Sequence, residues 1–252
     1  DNLHRQMNQT DLFSLLIILV AALTHASYQL SVSVLTLLSG HALNRKVSHR
    51  RVCGLAGSYT LGALLMTLLL LCSLVYTVSS SLGNTIPTAA WAAASGIVIG
   101  LGLTSWIFYF RKKAGASLWL PRAFADYLGR RAKRTRSLAE SFSLGLSTTL
   151  AAILFIIGPL LVAALVIATT KHSAMLLAQL AVYVLVAVAP LGIIWLTLVR
   201  NSSLATVQRW REKHKWFLQF MAGTVLVALG IYLYVTYVLS VEAVTTKGIV
   251  HV

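Results

Sequence analysis

Long apolar stretches separated by short polar segments dominate the chain. A helix needs about 20 mostly apolar residues to cross a bilayer, and six stretches reach that length. They lie at residues 12–38, 52–78, 89–110, 141–168, 174–199 and 216–240. The pattern therefore predicts an all-α, polytopic membrane protein with six transmembrane helices.

Two boundaries between the predicted spans depend on turn-forming residues. The stretch 79–88, which contains Gly83, Asn84 and Pro87, interrupts a run from 52 to 110 without any Asp, Glu, Lys or Arg. Residues 169–173 divide the fourth span from the fifth. Because Gly, Pro, Asn and Ser punctuate regular structure, both segments are predicted to connect helices.

The composition favours a membrane location. Of the 252 residues, 58% are hydrophobic and only 11% are charged, whereas soluble domains carry about 25% charged residues. The net charge of +15 would also suit nucleic acid. The basic residues, however, cluster between apolar stretches, so we expect the lipid bilayer as their partner and no nucleic acid.

The distribution of basic residues predicts the orientation. All of the 21 Lys and Arg residues except Arg5, Lys171 and Lys247 lie in the loops after spans 1, 3 and 5 or at their edges. Short loops rich in Lys and Arg stay in the cytoplasm. We therefore predict an integral protein of the plasma (inner) membrane, with cytoplasmic basic loops and both termini extracytoplasmic.

This topology divides the chain into two halves of three helices. Spans 1–3 begin outside and spans 4–6 begin inside, as in a 3+3 inverted-topology repeat. The predicted segments are an N-terminal tail at 1–11, a first half at 12–110, a basic connector at 111–140, a second half at 141–240 and a C-terminal tail at 241–252.

The connector carries an amphipathic pattern. Phe124, Tyr127 and Leu128 recur at helical spacing after Pro121, which suits the first position of a helix. The pattern predicts an interfacial helix, whose basic residues bind anionic lipids. These are Arg130, Arg131, Lys133 and Arg134. The alternative is that the charges only fix the topology.

Polar side chains inside spans 1 and 4 are the candidate substrate-binding residues. His25, Tyr28 and Gln29 share one helix face of span 1. Span 4 offers Ser147, Thr148 and Thr149. Polar residues within spans suggest function by default, so we expect a small solute to bind between these two helices. The alternative is that they make only structural hydrogen bonds.

Two sites are candidates for a change of helix direction. Gly158 and Pro159 lie within span 4, and Pro190 lies within span 5. Proline removes a backbone hydrogen bond of the helix, and broken helices mark the binding sites of many transporters. The three residues are predicted hinges, with a packing kink as the alternative.

Small residues predict two close-packing faces. Gly54, Ser58 and Gly62 recur at four-residue spacing in span 2, and Gly96 and Gly100 do so in span 3. Such faces let helices approach closely. They serve either packing within the bundle or association with a second copy or a partner membrane protein.

Patterns of enzymatic or metal chemistry are absent from the sequence. It contains no HExxH, CxxC, GxSxG or P-loop pattern, so we expect no catalytic residues, no metal and no cofactor. Cys53 and Cys72 fall on one predicted helix, about 28 Å apart along its axis, and cannot form a disulfide with each other.

Several short stretches resemble the LysE/CcdA-like superfamily of small-solute exporters and thiol-electron carriers. They are SGHALNRK at 39–46, RRVCGLAGS at 50–58, SFSLGL at 141–146 and IIGP at 156–159. The thiol-carrying branch has a membrane cysteine in each of spans 1 and 4, which this chain lacks. The resemblance therefore implies the exporter branch and export of a small solute.

Three functional hypotheses follow. The first is a LysE-type exporter of a small solute. The second is a non-catalytic membrane subunit or scaffold that holds partner proteins through its glycine faces. The third is a lipid-handling protein that acts through the basic connector.

Overall fold

The computed structural model describes residues 2–32, 48–83, 85–109, 127–128, 130–132, 134–200 and 204–240. Within them the fold is all-α. The helices are α1 (Asn2–Val32), α2 (His49–Leu82), α3 (Thr88–Tyr109), α4 (Leu138–Ala151), α5 (Ile153–Ala168), α6 (Ser173–Val199) and α7 (Leu204–Tyr234), and a π-helical segment, Val235–Leu239, follows α7.

Most of these helices have the length and composition of membrane spans. Five do so individually: α1, α2, α3, α6, and α7 together with the π segment. Helices α4 and α5 form a sixth span if they are counted as one, although they are bent by 76° relative to each other. The described chain thus holds five or six helices that are long and apolar enough to cross a membrane.

Several helices extend beyond the spans predicted for them, as α7 does by beginning at Leu204 and not near residue 216. Helix α1 begins at Asn2, so most of the segment predicted as an N-terminal tail is helical. Helix α2 continues through the serines at 79–81 and ends at Leu82, where Gly83 takes a φ of 68°. A positive φ is easily reached only by glycine, which explains why the turn starts there. The predicted tail at 241–252 and most of the connector lie outside the described residues.

The bundle is held together by contacts between its two halves. Helix α1 packs against α5, α6 and α7, helix α2 packs against α4, α5 and α6, and helix α3 packs against α7 and α5. No comparable packing joins α1, α2 and α3 to one another among the described residues. The apolar core therefore lies mainly between the halves.

Helices α2 and α4 approach each other at two glycines. A Cβ atom on Gly62 would lie 2.2 Å from the carbonyl oxygen of Phe142, and one on Gly145 would lie 2.2 Å from the carbonyl oxygen of Tyr59. No side chain fits at such distances. The two backbones therefore touch, as in other membrane helix pairs with small residues at the crossing.

Two serines, each one turn before the glycine of its own helix, form hydrogen bonds across the same crossing. Ser58 donates to the carbonyl of Leu138 at 2.6 Å, and Ser141 donates to the carbonyl of Leu55 at 2.7 Å. The two serines and the two glycines of the crossing belong to similar stretches, SYTLG at 58–62 and SFSLG at 141–145. The two helices thus make equivalent contacts with each other, so the crossing has local two-fold symmetry.

Glycines elsewhere divide into packed and open ones. In the α3–α7 pair, a Cβ on Gly102 would lie 2.8 Å from the carbonyl oxygen of Gly223. Around Gly96 and Gly100, no atom lies within 4 Å of the position that a Cβ would take. The predicted small-residue face of span 2 therefore packs inside the bundle, whereas that of span 3 is open among the described residues.

Helix α4 begins with a reciprocal cap. The Ser137 hydroxyl accepts from the backbone N–H of Glu140 at 3.1 Å, and the Glu140 carboxylate accepts from the backbone N–H of Ser137 at 3.3 Å and of Arg136 at 2.8 Å. These bonds satisfy N–H groups that a helix start otherwise leaves unpaired. The cap fixes where the connector ends and the second half begins.

Replacing Ser137 with alanine is expected to cost about 1 kcal/mol, the usual effect of losing a serine cap. The measurement is the melting temperature of the purified protein in detergent. Ser173→Ala is the matched control, because α6 starts without a side-chain cap. Equal melting temperatures for the two variants would contradict a stabilising role of the cap.

Candidate functional site

A histidine and a tyrosine form a buried pair between α1 and α6. His25 and Tyr183 are both 0% exposed, and the His25 Nδ1 lies 3.0 Å from the Tyr183 hydroxyl. Their rings meet edge to face at 5.8 Å. An imidazole–phenol hydrogen bond can carry its proton on either partner, depending on the tautomer. The pair thus places two groups that can each donate or accept a hydrogen bond inside apolar helices.

Gln29 extends this pair by one helical turn. Its Nε2 lies 3.5 Å from the His25 Nε2, while its Oε1 is buried and has no hydrogen-bond partner among the described residues. Buried polar atoms are nearly always paired. The unpaired amide oxygen of Gln29 beside the imidazole therefore marks a place where a water molecule or a polar solute group that donates a hydrogen bond would be stabilised.

Tyr28 points to a different part of the bundle. Its hydroxyl donates to Ser105 Oγ on α3 at 3.2 Å, and its ring lies 6.0 Å from that of Phe155 on α5. Of the predicted residues of span 1, His25 and Gln29 are therefore brought together. Tyr28, although on the same helix, contacts α3 and α5 instead.

The predicted residues of span 4 lie in a second polar group. Ser147, Thr148 and Thr149 each donate to the carbonyl four residues earlier in α4. The Thr148 hydroxyl also lies near that of Tyr59 on α2. Since α4 packs on α2 while α1 packs on α5, the structure does not join these three residues to the His25 cluster.

The break in span 4 falls at Ala152. The Ala152 N–H bonds the carbonyls of both Thr148 and Thr149, and the direction changes by 76° there. Serine and threonine side chains that bond back to the preceding turn tend to bend helices, and three of them precede this break. The sharpest bend of span 4 therefore lies six residues before Gly158.

Gly158 and Pro159 lie within α5, and Pro190 lies within the continuous helix α6. All three are buried. Gly158 has little free space, because a Cβ there would lie 3.1 Å from a Leu101 methyl group. A hinge role for these residues stays a prediction.

The described part of the connector has one buried and one exposed face. Leu128 and Ala132 are each 2% exposed and pack into a cluster with residues of α2, α4 and α6. Tyr127 was expected on the apolar face, yet it is 43% exposed and its hydroxyl accepts from Arg131 at 2.5 Å. The apolar face of this segment is therefore covered by protein.

The predicted lipid-binding residues lie on the exposed face of the connector. Arg130, Arg131 and Arg134 are exposed, and Lys133 lies outside the described residues. Arg51 on α2 donates to the carbonyl of Arg136 at 2.9 Å, which ties the connector to the bundle. Binding of anionic lipids by these arginines stays a prediction.

Four residues that line or support the polar groups of the bundle were not predicted from the sequence. They are Tyr59, Ser105, Gln179 and Tyr183. Gln179 and Tyr183 are spaced by four residues in an otherwise apolar segment, as His25 and Gln29 are. A search of every predicted span for polar residues four positions apart would have found Gln179 and Tyr183.

A third polar group lies at the end of the bundle that carries the α5–α6 turn. Gln179 is 0% exposed. Its Nε2 donates to Ser14 Oγ on α1 at 2.9 Å, and its Oε1 accepts from the Thr170 hydroxyl at 2.9 Å. These bonds brace α1, α6 and the α5–α6 turn against one another.

Comparisons with known proteins do not assign a function to these residues. No protein family, curated protein or solved structure matches the chain.

Proposed function

We propose that the chain is a six-span integral membrane protein that moves a small solute across the bilayer, without enzymatic chemistry or a bound cofactor. The observation that carries the proposal is the buried His25–Tyr183 pair with the unpaired amide oxygen of Gln29 beside it. Costly polar groups inside apolar helices are typical of solute and proton pathways. This cluster lies between a helix of the first half and one of the second.

The packing pattern supports an inverted repeat. If spans 1, 2 and 3 are exchanged with spans 4, 5 and 6, the packing of α1 on α6 becomes that of α4 and α5 on α2. The packing of α1 on α7 likewise becomes that of α5 on α3. Transporters with such repeats bind their solutes between the halves, often beside a broken helix, and α4–α5 is such a helix.

The resemblance to the exporter branch and the loop charges complete the proposal. We infer a LysE-type exporter in the plasma (inner) membrane, with both termini extracytoplasmic and the basic loops cytoplasmic. Arg130, Arg131 and Arg134 would then face the anionic leaflet, where each basic residue contributes about 1 kcal/mol of attraction.

Reconstitution into proteoliposomes tests this function. A panel of small zwitterionic and anionic solutes would be assayed for flux, with and without a proton gradient. We expect at least one solute to move, and His25→Gln to slow its flux at least tenfold. Thr104→Val, on an exposed position of α3, is the control. Equal flux in wild type and His25→Gln would contradict the proposed site.

A membrane subunit or scaffold is the second candidate. The open Gly96 and Gly100 favour it, because glycines at an exposed helix face allow another helix to approach closely. Purification in mild detergent, followed by mass spectrometry of co-eluting proteins, distinguishes the two. Stoichiometric partner proteins together with the absence of solute flux would favour the scaffold.

A further inference from the structure

A cavity lies at the end of the bundle that carries the α5–α6 turn, apart from the His25 cluster. It has a volume of about 550 Å³, within the range of small-molecule sites. Residues of α1, of the α5–α6 turn and of the α7 end line it. The polar ones are Asp11, Ser14, Thr169, Thr170, Lys171, His172 and Thr236.

The walls of this cavity are held in place by buried hydrogen bonds. Ser14 and Thr170 both line the cavity, and both are hydrogen-bonded to the wholly buried Gln179. Ser14 also donates to the carbonyl of Asp11 at 2.8 Å. A brace of this kind fixes side chains before a ligand arrives, which lowers the entropy cost of binding.

The opposite wall is formed by the π-helical segment. Thr236 and Tyr237 line the cavity and belong to this segment. Tyr237 stacks on the buried Trp91 of α3, with ring centroids 4.0 Å apart and an interplanar angle of 8°. A π-helical turn within a helix frequently occurs at functional sites. The stack fixes the orientation of the Tyr237 ring.

The lining combines groups that recognise both ends of a zwitterion. Asp11 supplies a carboxylate, and Phe13, Tyr232 and Tyr237 supply aromatic rings. Carboxylates and aromatic faces together attract organic ammonium groups, methylated ones above all. Lys171 and His172 provide N–H donors for an anionic group. Ile17 and Val166 add apolar surface.

We propose that this cavity binds a small zwitterion whose cationic group is a methylated ammonium and whose anionic group meets Lys171. Such a molecule is either a free solute or the headgroup of a zwitterionic lipid. The proposal concerns binding alone and does not depend on solute transport by the chain.

Thermal unfolding and calorimetry of the purified full chain in a maltoside detergent test the proposal. The soluble probes are glycine betaine and phosphocholine, with glycine and sodium chloride as comparisons. We expect glycine betaine or phosphocholine to raise the melting temperature, as a ligand of the folded state does. Asp11→Asn and Lys171→Gln should each weaken this binding at least tenfold, whereas Lys213→Gln, on an exposed lysine remote from the cavity, should not.

Nanodiscs distinguish the two sources of the ligand. If the soluble probes do not bind, phosphatidylcholine nanodiscs should stabilise the wild type relative to phosphatidylglycerol nanodiscs, and Asp11→Asn and Lys171→Gln should remove the difference. That result would assign a lipid headgroup. Shifts that are equal in wild type and both variants, a glycine shift as large as that of glycine betaine, or no effect of any probe or lipid would each overturn the proposal.

Discussion

Replacing Gly145 with alanine should separate α2 from α4 and strongly reduce the yield of folded protein. The added methyl group would lie 2.2 Å from the carbonyl oxygen of Tyr59, and Gly62→Ala would place one equally close to Phe142. Backbone atoms of a packed helix pair cannot move aside as the end of a flexible side chain can. We therefore expect a cost at or above the upper end of overpacking effects, about 3 kcal/mol.

Gly96→Ala is the matched control, because the same methyl group would meet no atom within 4 Å. Alanine is favoured over glycine in helices by about 1 kcal/mol in water, so this variant should be neutral or slightly more stable. Size-exclusion profiles and melting temperatures in detergent compare the variants. A monodisperse Gly145→Ala protein with the same melting temperature as the wild type would show that the backbones of α2 and α4 do not touch as described.

Breaking the His25–Tyr183 pair should have the second largest effect. His25→Leu leaves the Tyr183 hydroxyl buried without this partner, and Tyr183→Phe does the same to the His25 Nδ1. An unpaired buried polar group costs about 1–3 kcal/mol, and hydrogen bonds between membrane helices contribute about 0.6–1.7 kcal/mol. Each single variant should therefore lower the melting temperature by several degrees.

The double variant distinguishes an interaction between His25 and Tyr183 from a simple loss of packing. Since it removes both polar groups, its destabilisation should be smaller than the sum of the two single effects, by about 0.5–2 kcal/mol. The cycle is measured by unfolding in detergent. Strict additivity would mean that the two side chains do not interact, and the proposed solute site would lose its central feature.

Much of the fold could be predicted because apolar length and turn chemistry act locally. The turn between α5 and α6 lies where Thr169, Thr170 and their neighbours predicted it, since α5 ends at Ala168 and α6 begins at Ser173. The sharpest bend of span 4 lies at Ala152 and not at the proline. Pro159 lies inside α5, whereas three consecutive hydroxyl side chains bond back to the preceding turn just before Ala152.

The candidate site could be predicted only in part. His25 and Gln29 stand out as polar residues in an apolar helix, but their neighbours depend on how α1 and α6 pack. Spacing along the chain can single out Tyr183 as a polar residue of its span, but it does not show that Tyr183 is the partner of His25, which is 158 residues away. The same limit explains why we expected Ser147, Thr148 and Thr149 to face span 1, although their hydroxyls donate to carbonyls within α4.

Because the two halves pack mainly on each other, the order of synthesis matters for folding. The ribosome makes α1, α2 and α3 first, yet these helices find their main partners only among α4–α7. Until the second half has been made, His25 on α1 lacks Tyr183, and Gly62 on α2 lacks the helix that packs against it. The first three helices can therefore complete their main packing only after α4–α7 have been added.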